Sequence, residues 1–261
     1  GPCEGGNVGM ATAYMSALKG PVNESDVPYT GGDTGSSVYG YDRPYTLREV
    51  NWFDTDNEIK YGVMNRGALA TSMYWDDSFY SSGGYTYYSG VSHTKNHGVA
   101  IVGWDDARVI GEHTGAWRIK NSWGSGFGDD GYFWLSYDDV NGGNEAASVE
   151  AAPGDHVRSV YAHDEYGYIS SISPDWALNV FERKNNDPIR SASFYTTLDG
   201  VGFEVYIYDD FDPSAGPSGL LGSATGTATY RGYHMVDFND WVTLTDDDFA
   251  LCLYLDGGYQ A

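Results

Sequence analysis

The hydrophobic pattern of the first 150 residues begins with a helical period and then changes to short strands. In residues 5–20 apolar side chains recur at helical spacing, and Gly20 with Pro21 ends the predicted first helix. A second helix is predicted over residues 58–66, with Gly67 as its C-cap. The predicted strands after it are residues 68–74, 97–104, 116–121 and 131–137. Helices followed by strands indicate an α+β unit.

The remaining segments predict loops and a second unit. Residues 21–55 are rich in Pro, Gly, Ser, Asp and Tyr, which favours an irregular segment. Composition shifts again at residues 141–155, which we interpret as a link between domains at residues 1–150 and 155–261. Residues 210–226 are predicted to form a loop. The predicted strands of the second unit are residues 157–161, 178–181, 189–197, 202–208, 233–238 and 249–255. Short strands without helices predict an all-β sandwich or jelly roll.

Charge excludes nucleic acid as a partner, and the hydrophobic pattern excludes a membrane-spanning helix. The chain has 14 basic and 37 acidic residues and a net charge of −23. Nucleic acid is therefore excluded as a partner, because binding it needs a basic face. No apolar run reaches the roughly 18 residues of a membrane span. Most acidic residues fit a solvated surface, while calcium binding by clusters such as Asp209, Asp210 and Asp212 stays an alternative, and no metal site is assigned.

Two segments combine residue types that support nucleophilic catalysis. Residues 96–104 place His97 at the start of a hydrophobic strand, and residues 119–128 place Asn121 where a strand meets a Gly-rich turn. If these strands are neighbours, the Asn amide oxygen can accept from one imidazole nitrogen and leave the other free to take a proton from a nucleophile. Trp123 would shield that hydrogen bond from water. Taken singly, such a His and Asn are common as boundary and turn residues.

The same segments resemble the motifs of the papain-like cysteine peptidases, family C1. Residues 120–133 are similar to the K-N-S-W-G-x-x-W-G-x-x-G-Y motif, with Phe127 where Trp is usual. Residues 96–104 are similar to the N-H-A-V-x-x-V-G motif, with Gly98 in place of Ala. The resemblance implies that His97 is the general base, Asn121 its orienting partner and Trp123 the shield.

This resemblance also implies a fold and a reaction. The expected fold is an α+β papain-like domain, present in part and mainly as the β-barrel half that carries His and Asn. The expected activity is hydrolysis of peptide bonds in a protein or peptide substrate by a Cys-His-Asn mechanism, without metal or organic cofactor.

The N-terminus departs from the family pattern. Residues 2–7 resemble the C-x-G-G motif that lies downstream of the family's nucleophilic Cys, and no C-W-A-F helix start with a preceding Gln is present. Cys3 and His97 also lie closer together than the roughly 130–150 residues typical of the family. The resemblance implies that Cys3 is half of a disulfide, with its partner in a missing N-terminal segment that also carries the Cys and Gln. Because a helix start lowers the pKa of a thiol, Cys3 remains an alternative candidate for the nucleophile.

Two further interpretations come from the resemblance. Residues 67–74 resemble the strand that lines the family's substrate pocket, which places Ala70 and Met73 near it, although the alternation of any half-buried strand also fits Met73 as a core residue. We expect the chain alone to be inactive without the missing segment. The alternative function is a catalytically inactive surface or binding protein whose β-domain holds a glycan or a protein.

Residues 155–261 resemble the lectin-like domain that follows the peptidase domain in secreted bacterial and archaeal proteins. The matching segments are residues 176–181, 192–196 and 203–208. This resemblance predicts an extracellular or cell-surface location, and a domain cut short near Ala261. Trp176 or Trp241 could stack on a sugar of a glycan partner, or each could pack in the core.

Overall fold

The computed structural model describes residues 6–28, 41–154, 159–163, 167–168, 170–171 and 175–256. Within these ranges the chain forms two α-helices and fourteen strands. In chain order they are α1 (Val8–Ser16), β1 (Tyr45–Phe53), α2 (Asp56–Arg66), β2 (Leu69–Met73), β3 (Tyr80–Ser81), β4 (Thr86–Tyr87), β5 (His97–Ile110), β6 (His113–Lys120), β7 (Tyr132–Ser136), β8 (Ala146–Pro153), β9 (Trp176–Glu182), β10 (Ile189–Thr196), β11 (Val201–Asp212), β12 (Gly216–Ala228), β13 (Gly232–Val242) and β14 (Asp248–Asp256).

One compact unit includes Asn51–Val149 and carries helix α2. Thr55 caps this helix by accepting a hydrogen bond from the Glu58 backbone N–H at 3.3 Å, and the Glu58 carboxylate accepts from Thr55 N–H at 3.2 Å. This reciprocal pair satisfies two of the donors that a helix start leaves free. At the other end, Gly67 adopts φ 90° and donates its N–H to Val63, so the predicted C-cap is confirmed.

The sheet of this unit places the start of β5 beside the end of β6. Its strands follow the order β8-β2-β5-β6-β7-β4-β3, and the β4–β7 pair is parallel. Antiparallel pairing of β5 with β6 sets Ala100 opposite Lys120, so the start of β5 lies beside the end of β6. The buried core of the sheet includes Leu69, Met73, Ile101, Trp117, Ile119, Phe133 and Leu135.

The other compact unit includes the described residues of Gly9–Val50 and Glu150–Ala261. It contains a four-stranded antiparallel sheet in the order β12-β11-β14-β9 and the antiparallel β10–β13 pair. The core includes Phe181, Phe194, Val205, Ile207, Phe238, Val242, Phe249 and Leu255. Strands β9–β14 account for the regular structure described after residue 175, which agrees with the prediction of an all-β second unit.

Three strands contradict the loop predictions. β1 lies in the segment predicted to be irregular, β8 lies in the predicted link, and β12 occupies most of the predicted loop at residues 210–226. In β1, buried residues occur in adjacent pairs and do not alternate strictly with exposed ones. The two-residue period that identifies a strand from sequence is therefore missing. β12 consists mainly of Gly, Ser, Thr and Ala, and its pairing with β11 from Ala228 to Gly216 compensates for its weak strand propensity.

Other predictions need smaller corrections. Helix α1 is shorter than the predicted residues 5–20, and residues 159–161 of the predicted strand 157–161 form no strand. Cys3 lies outside the described residues. Cys252 is a free buried thiol, and burial raises its pKa. Neither described helix is long and apolar enough to cross a membrane.

Candidate active site

The imidazole of His97 and the amide of Asn121 form the centre of the site. His97 begins β5 and Asn121 follows the last residue of β6, so the antiparallel pair holds them side by side. His97 Nε2 and Asn121 Oδ1 are 2.9 Å apart. The two candidate residues are therefore within hydrogen-bond distance, as expected if they lie at the ends of neighbouring strands.

The backbone around Asn121 fixes the side chain that orients the imidazole. Asn121 donates its backbone N–H to the Gly131 carbonyl at 3.0 Å, and its Oδ1 also accepts from the Ser122 N–H at 2.8 Å. Because Oδ1 is an acceptor, the hydrogen-bonded His97 Nε2 carries the proton. Nδ1 is then the nitrogen available for proton transfer. Asn121 Nδ2 is buried and has no partner among the described residues.

An indole ring covers the His–Asn pair. Trp123 stacks on His97 with ring centroids 4.8 Å apart and an interplanar angle of 27°. Trp123 itself is 46% exposed. Phe127 meets Trp123 edge-on at 4.9 Å, in the position where the family motif usually has Trp. These rings exclude water from one side of the hydrogen bond, which strengthens it.

Trp75 forms the other wall of the site and was not predicted from the sequence. Its ring meets Trp123 edge-on at 4.9 Å and lies 6.0 Å from the His97 ring. Asn96, the residue before His97, accepts from the Trp75 N–H at 2.7 Å and donates to the Trp75 carbonyl at 3.1 Å. A polar residue directly before the candidate His was the signal available in the sequence.

Tyr87 packs against the Trp75 ring. The two rings stack with centroids 4.9 Å apart, and Tyr87 has no exposed surface. Its hydroxyl donates to the Tyr74 carbonyl at 2.8 Å and accepts from the Asp76 N–H at 3.2 Å. Burial raises the pKa of Tyr87 to about 12, so the phenol stays protonated and keeps donating.

A buried carboxylate and an amide hold the loop that leads to His97. Asp139 accepts from the Ser89 N–H at 2.7 Å, and Asn141 accepts from the His93 N–H at 2.7 Å and donates to the Val91 carbonyl at 2.8 Å. Burial is the main influence on Asp139 and raises its pKa. Asn141 is the first residue of the predicted interdomain link, and the roles of Asp139 and Asn141 depend on contacts about 50 positions away.

Ala70 and Met73 lie on opposite faces of β2. Ala70 is half-buried and pairs with Ala100, whereas Met73 pairs with His97 and has no exposed surface. The Met73 side chain therefore packs in the core of the sheet. Ser72 shares the face of Ala70 and lies opposite Gly98, which has open space where a Cβ would be. The open face of β2 is thus formed by Ala70 and Ser72.

The acidic clusters show no metal-binding arrangement. Asp209, one of the calcium alternatives, is buried and uses its carboxylate to accept from the Thr245 and Asp246 backbone N–H groups at 2.7 and 3.3 Å. In the described ranges, no three His, Cys, Asp or Glu side chains converge as a metal site would require.

Comparison with known proteins assigns the chain to a family. The sequence model described as papain family cysteine protease matches residues 1–152. The chain belongs to the papain family. The model described as lectin like domain matches residues 160–260. The family match covers more than half of the chain, and it contains His97, Asn121 and Trp123.

Curated relatives match the N-terminal part of this papain-family chain. It is 32% identical over 152 residues to Cathepsin L 2 of Paramecium tetraurelia, which covers 58% of this chain and 43% of that protein. It is 31% identical over 144 residues to a probable cysteine protease of Arabidopsis thaliana, which covers 50% of this chain and 38% of that protein. The chain thus spans about two fifths of the length of these relatives.

Solved structures match both parts of the chain and confirm the predicted papain-like fold followed by an all-β domain. A clostridial cysteine protease, Cwp84, after propeptide cleavage has a TM-score of 0.82 at 26% identity, and the match covers 97% of this chain and 67% of that one. A structure of the cysteine protease and lectin-like domains of Cwp84, a surface layer associated protein of Clostridium difficile, has a TM-score of 0.80 at 25% identity and covers 96% and 60%.

Proposed function

We propose that this chain carries the general base of a secreted papain-like cysteine endopeptidase. The single observation that supports this most is the 2.9 Å contact between His97 Nε2 and Asn121 Oδ1 under the Trp123 ring. A purely structural strand end has no need of a buried amide that orients an imidazole. Membership of a cysteine protease family supports the same reaction.

The proposed chemistry uses the free nitrogen of His97. A Cys thiolate attacks the peptide carbonyl carbon, the C–N bond breaks, and His97 Nδ1 donates its proton to the leaving amine. Water then attacks the thioester carbon and gives a proton back to His97, which releases the acid product and the thiolate. An oriented general base of this kind contributes about 10²–10⁴ in rate. No step needs a metal or an organic cofactor.

The nucleophile is proposed to come from a segment outside residues 1–261. Cys252 is buried and belongs to the part of the chain that the lectin-like model matches, which makes it unsuitable as a nucleophile. Burial raises its thiol pKa, and a cysteine nucleophile needs a lowered one. The orphan Asn121 Nδ2–H also requires an acceptor beyond the described residues, from water or another segment.

The protein is proposed to act outside the cell or at its surface. The net charge of −23 keeps a protein soluble through self-repulsion, and Cwp84, which is similar over nearly the whole chain, is described as surface layer associated. A protein or peptide substrate follows from the proposed reaction.

The test begins with peptide-level mass spectrometry of the native protein, to read the residues that precede Gly1. If Gln and a Cys-Trp helix start are found, the longer chain is expressed and treated with an epoxide inhibitor of cysteine peptidases. We expect one equivalent of label on that Cys, with loss of labelling and of peptide hydrolysis in His97→Ala. His113→Ala is the matched control, because His113 lies in the same unit and pairs with Asp138 instead.

Two results would overturn the proposal. One is His97-dependent labelling of Cys3 in the 261-residue chain, which would make Cys3 the nucleophile. The other is Ser, Ala or Gly in the natural sequence where the nucleophilic Cys belongs. The second result would favour the alternative function, a catalytically inactive binding protein on a papain-like fold.

A further inference from the structure

The outer face of the four-stranded sheet carries a compact aromatic surface. Trp176 on β9 lies opposite Tyr254 on β14, and Tyr254 lies opposite Glu204 on β11. In the next row, Leu178, Cys252 and Tyr206 are paired across the same strands. The alternate positions of these strands, such as Val205 and Leu255, form the buried core, so this surface faces away from it.

Two tyrosine rings of this surface pack against the Trp176 ring. The Trp176 ring lies 5.0 Å from the Tyr254 ring and 6.2 Å from the Tyr206 ring, at interplanar angles of 43° and 23°. Trp176 is 55% exposed, so it does not pack in the core, which was one of the two alternatives for this residue. We call Trp176, Tyr206 and Tyr254 the aromatic platform.

We propose that the aromatic platform, with Glu204 beside it, binds a sugar ring of an uncharged or amino-sugar polysaccharide. A pyranose presents C–H groups on its face and hydroxyls around its rim, which match an aromatic surface with polar groups at its edge. The polar edge is present here, because Tyr206 donates its hydroxyl to the Glu204 carboxylate, which keeps acceptor sites for sugar hydroxyls.

The charge of the protein and the size of the aromatic platform distinguish between classes of ligand. The net charge of −23 and the Glu204 carboxylate disfavour an anionic polymer. On the neighbouring edge strand β12, Thr225 and Ser223 lie opposite Glu204 and Tyr206 of β11. Hydroxyl groups therefore border the platform. A stable protein interface needs about 800 Å² on each partner. Three adjoining rings with a hydroxyl border are closer in size to one or two sugar units.

Trp241 provides a natural comparison. It is 62% exposed on β13, yet an Arg190 guanidinium lies over its ring at 5.6 Å. Among the described residues, no aromatic ring packs beside Trp241 as Tyr206 and Tyr254 pack beside Trp176. The structure therefore assigns the sugar-stacking role to Trp176 and gives none to Trp241.

The experiment is affinity gel electrophoresis of the full chain in gels that contain one soluble polysaccharide each: a β-glucan, a mannan, a glycol chitin or a polygalacturonate. We expect retardation by at least one of the first three and none by polygalacturonate. Trp176→Ala should weaken binding about tenfold or more, because an exposed Trp anchor makes a large part of a small contact. Trp241→Ala should bind as the wild type does.

Folding of the variants is checked by near-UV circular dichroism and thermal unfolding. If Trp176→Ala does not fold, Glu204→Gln keeps the shape of the surface and should still weaken retardation. The proposal is overturned if the first three polysaccharides all fail to retard the wild type, or if the two Trp variants lose binding equally. Tightest binding to polygalacturonate, or Trp176-dependent dimers in sedimentation without sugar, would also overturn it. None of these readouts requires peptidase activity.

Discussion

The side-chain amide of Asn96 forms hydrogen bonds with both the backbone N–H and the backbone carbonyl of Trp75. The Asn96 Oδ1 accepts from the Trp75 N–H at 2.7 Å, and its Nδ2 donates to the Trp75 carbonyl at 3.1 Å. The amide thus continues the β2–β5 ladder beyond Met73 and His97, the last pair in register. Since Trp75 contacts Trp123 and His97, this exposed amide positions a wall of the candidate site.

Asn96→Ala should therefore loosen Trp75 without unfolding the protein. Two partly solvated hydrogen bonds are lost, at a cost of about 0.5–1.5 kcal/mol each. In hydrogen exchange, we expect the Trp75 amide to exchange faster in this variant. Asn96→Asp is the matched control, because the carboxylate still accepts from that N–H but cannot donate to the carbonyl. Equal protection in Asn96→Ala and the wild type would show that the amide does not hold Trp75.

Trp123→Ala should expose the His97–Asn121 hydrogen bond to water. Trp123 is about half exposed, so we expect little change in the free energy of unfolding, about 0.5 kcal/mol. The His97 Nε2 proton should lose its low-field proton NMR signal through faster solvent exchange. Trp176→Ala, which removes an exposed Trp from the other unit, should leave this signal unchanged. A persistent signal in Trp123→Ala would mean that Trp123 is not the shield.

Met73→Ala distinguishes a core residue from a substrate-contacting one. Because Met73 is fully buried, its truncation should lower the free energy of unfolding by about 2–5 kcal/mol. Denaturant unfolding measures this loss. Ser72→Ala, at the neighbouring half-buried position on the opposite face of β2, should cost much less. Near wild-type stability of Met73→Ala would instead support contact with the substrate.

We expect His234 to make the stability of the second unit depend on pH. Burial lowers the pKa of this imidazole, and the side chain lies 3.0 Å from Thr196 Oγ1. A lowered pKa in the folded state means that this contribution to stability is present above the ordinary value of 6.5 and is lost as pH falls through the folded-state pKa. We expect the thermal midpoint to fall on acidification below pH 6.5.

His234→Gln should reduce the slope of the thermal midpoint against pH in that window. Carboxyls with lowered pKa, such as Asp237, lose their contribution only at lower pH, which separates the two effects. His163→Gln is the control, since His163 is exposed. If His234→Gln keeps the full slope, another group titrates in this range.

The sequence predicted strands well where β-branched and aromatic residues dominate. Strand β7 was predicted to within one residue at each end, and parts of β5 and β6 were predicted, because their side chains themselves favour a sheet; β5 continues to Ile110 and β6 begins at His113, outside the predicted ranges. β12 was missed because its Gly, Ser and Thr residues favour turns, and only the ladder with β11 makes them a strand. β8 was missed for a related reason, since its small residues resemble a linker until β2 pairs with Ala147.

For the candidate site, the sequence alone singled out His97, Asn121 and Trp123 as the candidate residues. The order of His97, Asn121 and Trp123 in their motifs is a local property, and local properties can be read along the chain. The tertiary structure decided what surrounds them: that Asn96 holds Trp75, that Asp139 and Asn141 hold the loop before His97, and that Trp176 joins two Tyr rings while Trp241 does not. These contacts join residues far apart in sequence, and such pairings depend on sheet register, which side-chain types along one strand do not specify.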